Sequence, residues 1–191
     1  MFDLRIPTPR AWVDAVMADF DAFLLDHAAC ERKASATGMW FVAHYPDRAE
    51  LVDPMIDFAR EELEHFQRVY RMLAGRGLHL GPDEKDPYVR ALRGKCRGGD
   101  AMLLDRLLIA GIVEARGCER LHMVAEALAD AEPELSESYL DMARAESRHG
   151  ALFYRMARKY YSEEEVAARS KELLDFEAEV VRGLPIRSAV H

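Results

Sequence analysis

Apolar and polar residues mix along this chain in long runs that lack the strict alternation of a strand, and clusters of proline, glycine and aspartate interrupt them. The pattern predicts helices. Thr8-Pro9 reads as an N-cap and first helical position for a short opening helix, with a long helix following from about Asp21 to His44. Tyr45-Pro46-Asp47 breaks that helix, and Asp53-Pro54 is expected to start the next, which runs to a glycine stop at Gly75-Arg76-Gly77. Residues 76 to 99, dense in glycine and holding Pro82 and Pro87, read as a crossover with one short helix near Tyr88 to Leu92. A third long helix is predicted from Asp100 to about Ala129. A fourth follows Asp130-Ala-Glu-Pro133 and ends near Tyr161. Ser162-Glu-Glu-Glu165 is a capping box that opens a last helix to about Arg182. Trp12, Phe20, Phe23, Leu24 and Leu25 are the expected core of the opening helices, and no stretch reads as a strand.

Two long hairpins joined by a long crossover describe an all-α, ferritin-like four-helix bundle with one long crossover, plus short N-terminal and C-terminal helices. A repeated motif gives that arrangement chemical meaning. DFAREELEH runs from Asp57 to His65 and DMARAESRH from Asp141 to His149, so the frame Asp-x-Ala-Arg-x-Glu-x-x-His occurs twice. Glu62 with His65, and Glu146 with His149, are each three apart on a helix and project from one face, so each pair can grip a metal. A di-metal carboxylate bundle needs one further glutamate from each of the other two helices. Glu31 lies 31 residues before Glu62 and Glu114 lies 32 before Glu146. Folding each hairpin at its predicted turn brings the upstream glutamate level with its Glu-x-x-His pair. The positions three and four residues from Glu31, which are His27, Ala28, Ala34 and Ser35, and from Glu114, which are Ala110, Gly111, Gly117 and Cys118, read as small surroundings that leave room for metals.

Glu119 and His122 share the three-residue spacing but lack the rest of the frame, and their neighbours are mixed in character, so they read as a surface or flanking pair. Asp57 and Asp141 sit five residues before their glutamates. They serve either to orient a histidine on an opposite helix through its second ring nitrogen or as solvated and capping residues. Arg60 and Arg144 step away from the metal face, towards salt bridges. Mixed ligation by four carboxylates and two imidazoles suits iron or manganese better than zinc or copper. The spacing alone leaves hydroxylase, peroxidase, ferroxidase and manganese catalase open.

At 191 residues and 50% hydrophobic, the chain is expected to form a single domain spanning 1–191. No apolar run approaches a membrane span, and the opening MFDLRIPTPR lacks the layout of a secretory signal, so a cytoplasmic location is expected. Cys30, Cys96 and Cys118 form no C-x-x-C pair, which argues for reduced thiols and against a rubredoxin-like module. A net charge of -8 means that any attraction for nucleic acid must be confined to a patch. The crossover supplies a candidate: Lys85, Arg90, Arg93, Lys95 and Arg97 against Asp86 alone, with Tyr88 for stacking on an unpaired base. The same residues also suit a solvated loop that balances the acidic helices.

HAACERKAS at 27 to 35, HYPDRAELVDPM at 44 to 55, AREELEHFQRV at 59 to 69, LIAGIVEARGCERL at 108 to 121 and ESRH at 146 to 149 resemble the tRNA 2-methylthio-isopentenyladenosine hydroxylase family, with likeness from about 8 to 161. The resemblance implies a non-haem di-iron monooxygenase that hydroxylates the isopentenyl group of the modified adenosine beside the anticodon. It implies two iron ions, dioxygen as co-substrate, an external electron donor such as a reductase or ferredoxin, and the tRNA anticodon loop as partner. The family's ligand motifs fall on Glu31, Glu62, His65, Glu114, Glu146 and His149, with no catalytic residue expected beyond these ligands. The chain departs from the pattern at Gly150, where the family's phenylalanine is expected. The alternative function is a ferritin-like ferroxidase or peroxide-scavenging di-metal protein.

Overall fold

The computed structural model describes residues 2–82 and 84–191. Among them are seven α-helices and no strand: α1 (Arg10–Ala18), α2 (Phe20–His44), α3 (Ala49–Gly75), α4 (Pro87–Arg93), α5 (Met102–Leu128), α6 (Pro133–Tyr160) and α7 (Glu163–Gly183). The chain divides into two compact units. The smaller holds Ala15–Glu84 with Ser188–Val190, and the larger holds Lys85–Arg187 with the N-terminal residues to Asp14 and His191.

The smaller unit is the α2–α3 hairpin. Asp19 caps α2 by accepting from the Ala22 amide at 3.1 Å, and Tyr45 ends it. The next helix begins at Ala49, four residues earlier than Asp53-Pro54 suggests, and Pro54 lies inside it. Leu51 accounts for the difference: it is fully buried, and its amide donates to the Arg48 carbonyl at 2.8 Å, so the turn continues directly into helix. Burial of that first turn outweighs the one backbone hydrogen bond that Pro54 cannot make. The helix stops as the glycine pattern predicts: Gly77 takes a φ of 72°, and the Leu78 amide reaches back to the Leu73 carbonyl at 3.0 Å. Phe23, Leu24, Ala28 and Phe41 of α2 and Leu51, Met55, Phe58, Val69 and Leu73 of α3 are all buried, and the two helices pack against each other. Gly38 sets the separation of the two helices. A Cβ there would lie 2.8 Å from the Met55 carbonyl oxygen and 2.9 Å from Ala59 Cβ.

The larger unit is built on the α5–α6 hairpin, with α4 and α7 packed alongside. Ser136 donates to the Ala125 carbonyl near the turn at 2.8 Å, and further along Gly150 backs onto α5. A Cβ on Gly150 would meet the Gly111 carbonyl oxygen at 3.4 Å and Glu114 Cβ at 3.8 Å, so α6 passes close to the backbone carrying Glu114. That close packing is what replaces the expected phenylalanine. Gly111 gives up its space to the Phe2 ring, which a Cβ there would strike, and so leaves no room for a metal. The capping box at Ser162 and Glu165 forms in full and starts α7.

A fully buried ion pair ties the larger unit together. Arg116 on α5 donates from Nε to Glu177 Oε1 on α7 at 2.9 Å and from Nη2 to the Ile6 carbonyl at 3.1 Å. Its Nη1 meets Thr8 Oγ1 and the Glu119 carboxylate. Tyr88 on α4 donates its hydroxyl to the same Glu177 at 3.0 Å. One guanidinium thus fastens the N-terminal segment, α5 and α7, and Glu177 brings in α4.

Candidate metal centre

In the smaller unit, the antiparallel pairing of α2 and α3 brings Glu31 level with Glu62 and His65. Glu62 is 0% exposed, Glu31 4% and His65 5%, and one ligand atom from each lies within 4.8 Å of the others. His65 Nδ1 stands 3.6 Å from Glu31 Oε2 and 3.7 Å from Glu62 Oε2. Burial alone would lower the His65 pKa, but the two carboxylates reverse that and raise it to about 9. Burial pushes the Glu31 carboxyl up, but the charge and hydrogen bond of His27, together with hydrogen bonds to His65 and Glu62, outweigh it and hold Glu31 well below the usual carboxylate range. Two carboxylates buried together, raising an imidazole in this way, make a site that draws positive charge.

In the larger unit, α5 and α6 assemble a matching trio. Glu114, Glu146 and His149 are all buried, with ligand atoms within 4.8 Å of one another, and His149 Nδ1 lies 3.7 Å from Glu114 Oε2. Gly117 leaves space beside Glu146, whose Oε2 would sit 3.7 Å from a Cβ on that glycine. Each trio offers two carboxylates and one imidazole, an oxygen-rich donor set with a borderline nitrogen that fits iron or manganese.

Glu119 and His122 are placed elsewhere. Glu119 accepts from the Thr8 amide at 3.0 Å and the Thr8 hydroxyl at 2.6 Å, and His122 is an exposed partner of Glu126 at 3.4 Å. Asp57 and Asp141 are exposed and paired with their own helix: Asp57 with Arg60 at 3.0 Å, Asp141 with Arg144 at 2.8 Å. Five residues carry a helix through about 500°, which turns these aspartates well away from the glutamates they precede. The role of orienting a buried histidine therefore does not fall to them, and their arginines make the salt bridges expected of that face.

A residue that does touch a candidate ligand glutamate is His27. It is 1% exposed, and its Nε2 lies 2.6 Å from Glu31 Oε1. The i, i+4 spacing of the two residues is the only signal the sequence offers for this, and it is easily absorbed into the general surroundings of Glu31.

The crossover residues divide. Tyr88 is 0% exposed, with its hydroxyl on Glu177 and its ring stacked on His191 at 5.1 Å, so it is a core residue and offers no face to a base. Arg97 forks around the fully buried Asp105, with Nη2 to Oδ1 at 2.7 Å, while Arg169 approaches the other oxygen at 2.8 Å. Lys95 Nζ rests 4.5 Å above the Phe176 ring. Lys85, Arg90 and Arg93 are also exposed.

These hairpins, each holding a buried Glu/Glu/His trio, define a class before any particular protein. The chain has 32% identity and a TM-score of 0.90 to a solved structure titled "Protein 43 with aldehyde deformylating oxygenase activity from Synechococcus", covering 98% of this chain and 94% of that one. The fold is all-α and ferritin-like. Within that class, the family described as "tRNA-(MS[2]IO[6]A)-hydroxylase (MiaE)" matches residues 2–191, and the chain belongs to it. A relative from Pseudomonas putida, tRNA 2-(methylsulfanyl)-N(6)-isopentenyladenosine(37) hydroxylase, is 34% identical, with 86% of this chain and 79% of that protein covered. The enzyme of the same name from Salmonella typhimurium is 24% identical, with 93% and 83% covered.

Proposed function

We propose that this protein hydroxylates the isopentenyl group of 2-methylthio-isopentenyladenosine beside the anticodon of tRNA, at a centre of two iron ions. Membership of the tRNA hydroxylase family along residues 2–191 carries this reading, and its span supports a chain acting as one domain. Glu31, Glu62 and His65 of the smaller unit would hold one iron, and Glu114, Glu146 and His149 of the larger unit the other. The buried mixed donor sets support that assignment. With iron bound, the centre supplies the redox chemistry that splits dioxygen: one oxygen atom enters a C–H bond of the substrate, and the other leaves as water with two external electrons and two protons.

The side chains of this protein supply the rest. The carboxylates neutralise the cations in a dry interior where such interactions are strong, and the imidazoles complete the coordination. The substrate methyl must be held close and water kept out. A reductase or ferredoxin delivers the electrons, and exposed bases of the crossover, Lys85, Arg90 and Arg93 foremost, meet tRNA phosphates. No helix among the described residues is long and apolar enough to cross a membrane; the cytoplasmic location we infer rests on the tRNA substrate of the family.

The test is mass spectrometry of nucleosides from modified tRNA incubated with iron-loaded protein, a reductant and dioxygen. The expected product has gained one oxygen atom on the isopentenyl group. Oxygen consumption with unchanged nucleosides would point instead to a ferroxidase, and consumption of added hydrogen peroxide with unchanged nucleosides to a peroxide scavenger.

A further inference from the structure

The doubled frame gives two trios of the same composition, yet the residues one turn before their upstream glutamates differ. Four residues before Glu31 stands His27, and four before Glu114 stands Ala110. The histidine is buried, its ring lies against Phe23 with centroids 5.5 Å apart, and its Nε2 lies 2.6 Å from Glu31 Oε1. The other oxygen of the same carboxylate, Oε2, faces His65 Nδ1 at 3.6 Å. One oxygen of Glu31 is thus engaged by His27 and the other is turned towards the remaining ligands. At the matching position of the larger unit, the methyl group of Ala110 has no donor to offer Glu114.

Resting on the reading of these trios as a metal centre, we propose that His27 is a positioning residue that makes the two metal positions inequivalent. It donates from Nε2 to Glu31 Oε1, so that Glu31 binds metal through Oε2 alone and in a fixed orientation. Glu114 has no such restraint and can turn, or offer both oxygens. A carboxylate held ready by a buried hydrogen bond loses less freedom on binding, and removal of such a partner typically weakens metal affinity by about 10- to 100-fold. The position served by Glu31 therefore fills first.

The test uses cobalt(II) titrated into the metal-free full-length chain, followed by its visible absorption and by calorimetry. The wild type is expected to bind two ions in two resolved phases. His27→Phe keeps the ring's bulk without the donor, and should retain two ions while the tighter phase weakens by about 10- to 100-fold towards the second. His27→Gln, whose amide can still donate, should recover most of the separation. A single phase in the wild type overturns the proposal, and so does a His27→Phe variant with both constants unchanged. Loss of one ion from both variants would make His27 a ligand, which also overturns it. If His27→Phe fails to fold, the wild-type phases and His27→Gln still decide. Glu31→Ala separates the two readings: unchanged affinity for two ions in that variant would overturn the metal-centre assignment itself.

Discussion

Glu62 is the most deeply placed of the six candidate ligands, with no exposed surface. With Glu31 it is one of the two carboxylates of its trio, so removing it takes away half of the negative charge that would hold a cation there. Glu62→Ala is expected to lower bound iron below two per chain and abolish hydroxylation, as read by elemental analysis and nucleoside mass spectrometry. Glu114 and Glu119 make a sharper comparison because they lie on the same helix with opposite partners. Glu114→Ala should reduce metal content, whereas Glu119→Ala should leave it intact and lower stability in a urea melt by about 1–3 kcal/mol, since Thr8 and the buried Arg116 lose an acceptor. Equal metal loss in the two variants would contradict this placement. At this scale the sequence is legible where a spacing repeats: the doubled frame and the upstream glutamates mark the side chains that meet in each trio. It is not legible where the partner is a single unrepeated residue. His27 occurs once, and Asp57 and Asp141 recur in the frame although their bonds are to surface arginines, so repetition alone does not separate a buried role from an exposed one.

Between elements, the longest-range information is carried by charges that the helix pattern does not reveal. Stops and caps are readable: the α3 stop at Gly77 and the α7 capping box are local chemistry, whereas the early start of α3 depends on the burial of Leu51 by the folded hairpin. The Arg116–Glu177 pair joins residues 61 apart, both 0% exposed, and nothing local announces it. Arg116→Met leaves Glu177 buried without its cation and should cost about 3–5 kcal/mol in denaturant unfolding. Adding Glu177→Gln, which keeps an acceptor for the Tyr88 hydroxyl, should restore most of that loss; no recovery would argue against the pair as its source. The start of α4 titrates. Burial raises the Asp86 carboxyl, but His191 at 3.2 Å and the capped Val89 amide prevail and bring its pKa from 3.8 down to about 2. A carboxylate depressed on folding stabilises the fold above its unfolded pKa. Its contribution of about 2 kcal/mol should therefore be complete above about pH 4 and vanish as pH falls through about 2. Asp86→Asn keeps the cap and removes the charge, so its deficit against the wild type in urea melts should be present at about pH 6 and shrink steadily below about pH 4.

For the molecule as a whole, the question is how a chain of net charge -8 holds a polyanion. The fold narrows the answer by removing candidates that composition alone retains. Tyr88 is spent in the core, Arg97 on Asp105, and Lys95 rests on Phe176. A run of basic residues in sequence records charge but not where each charge is already balanced, which is why the crossover looks richer in sequence than it is in the fold. Replacing Arg97 would loosen Asp105 and confound a binding measurement with a stability loss. Lys85→Ala with Arg90→Ala avoids this, because both residues are exposed and neither belongs to the buried Glu/Glu/His trios. The double variant should bind tRNA more weakly at low salt. The slope of log affinity against log salt should become shallower by about one unit for each phosphate that the protein no longer neutralises. Metal content and the melting curve should stay at wild-type values. If affinity and slope are both unchanged, the phosphate-binding surface does not include the crossover, and the segment from Arg182 to Arg187 becomes the next basic stretch to substitute.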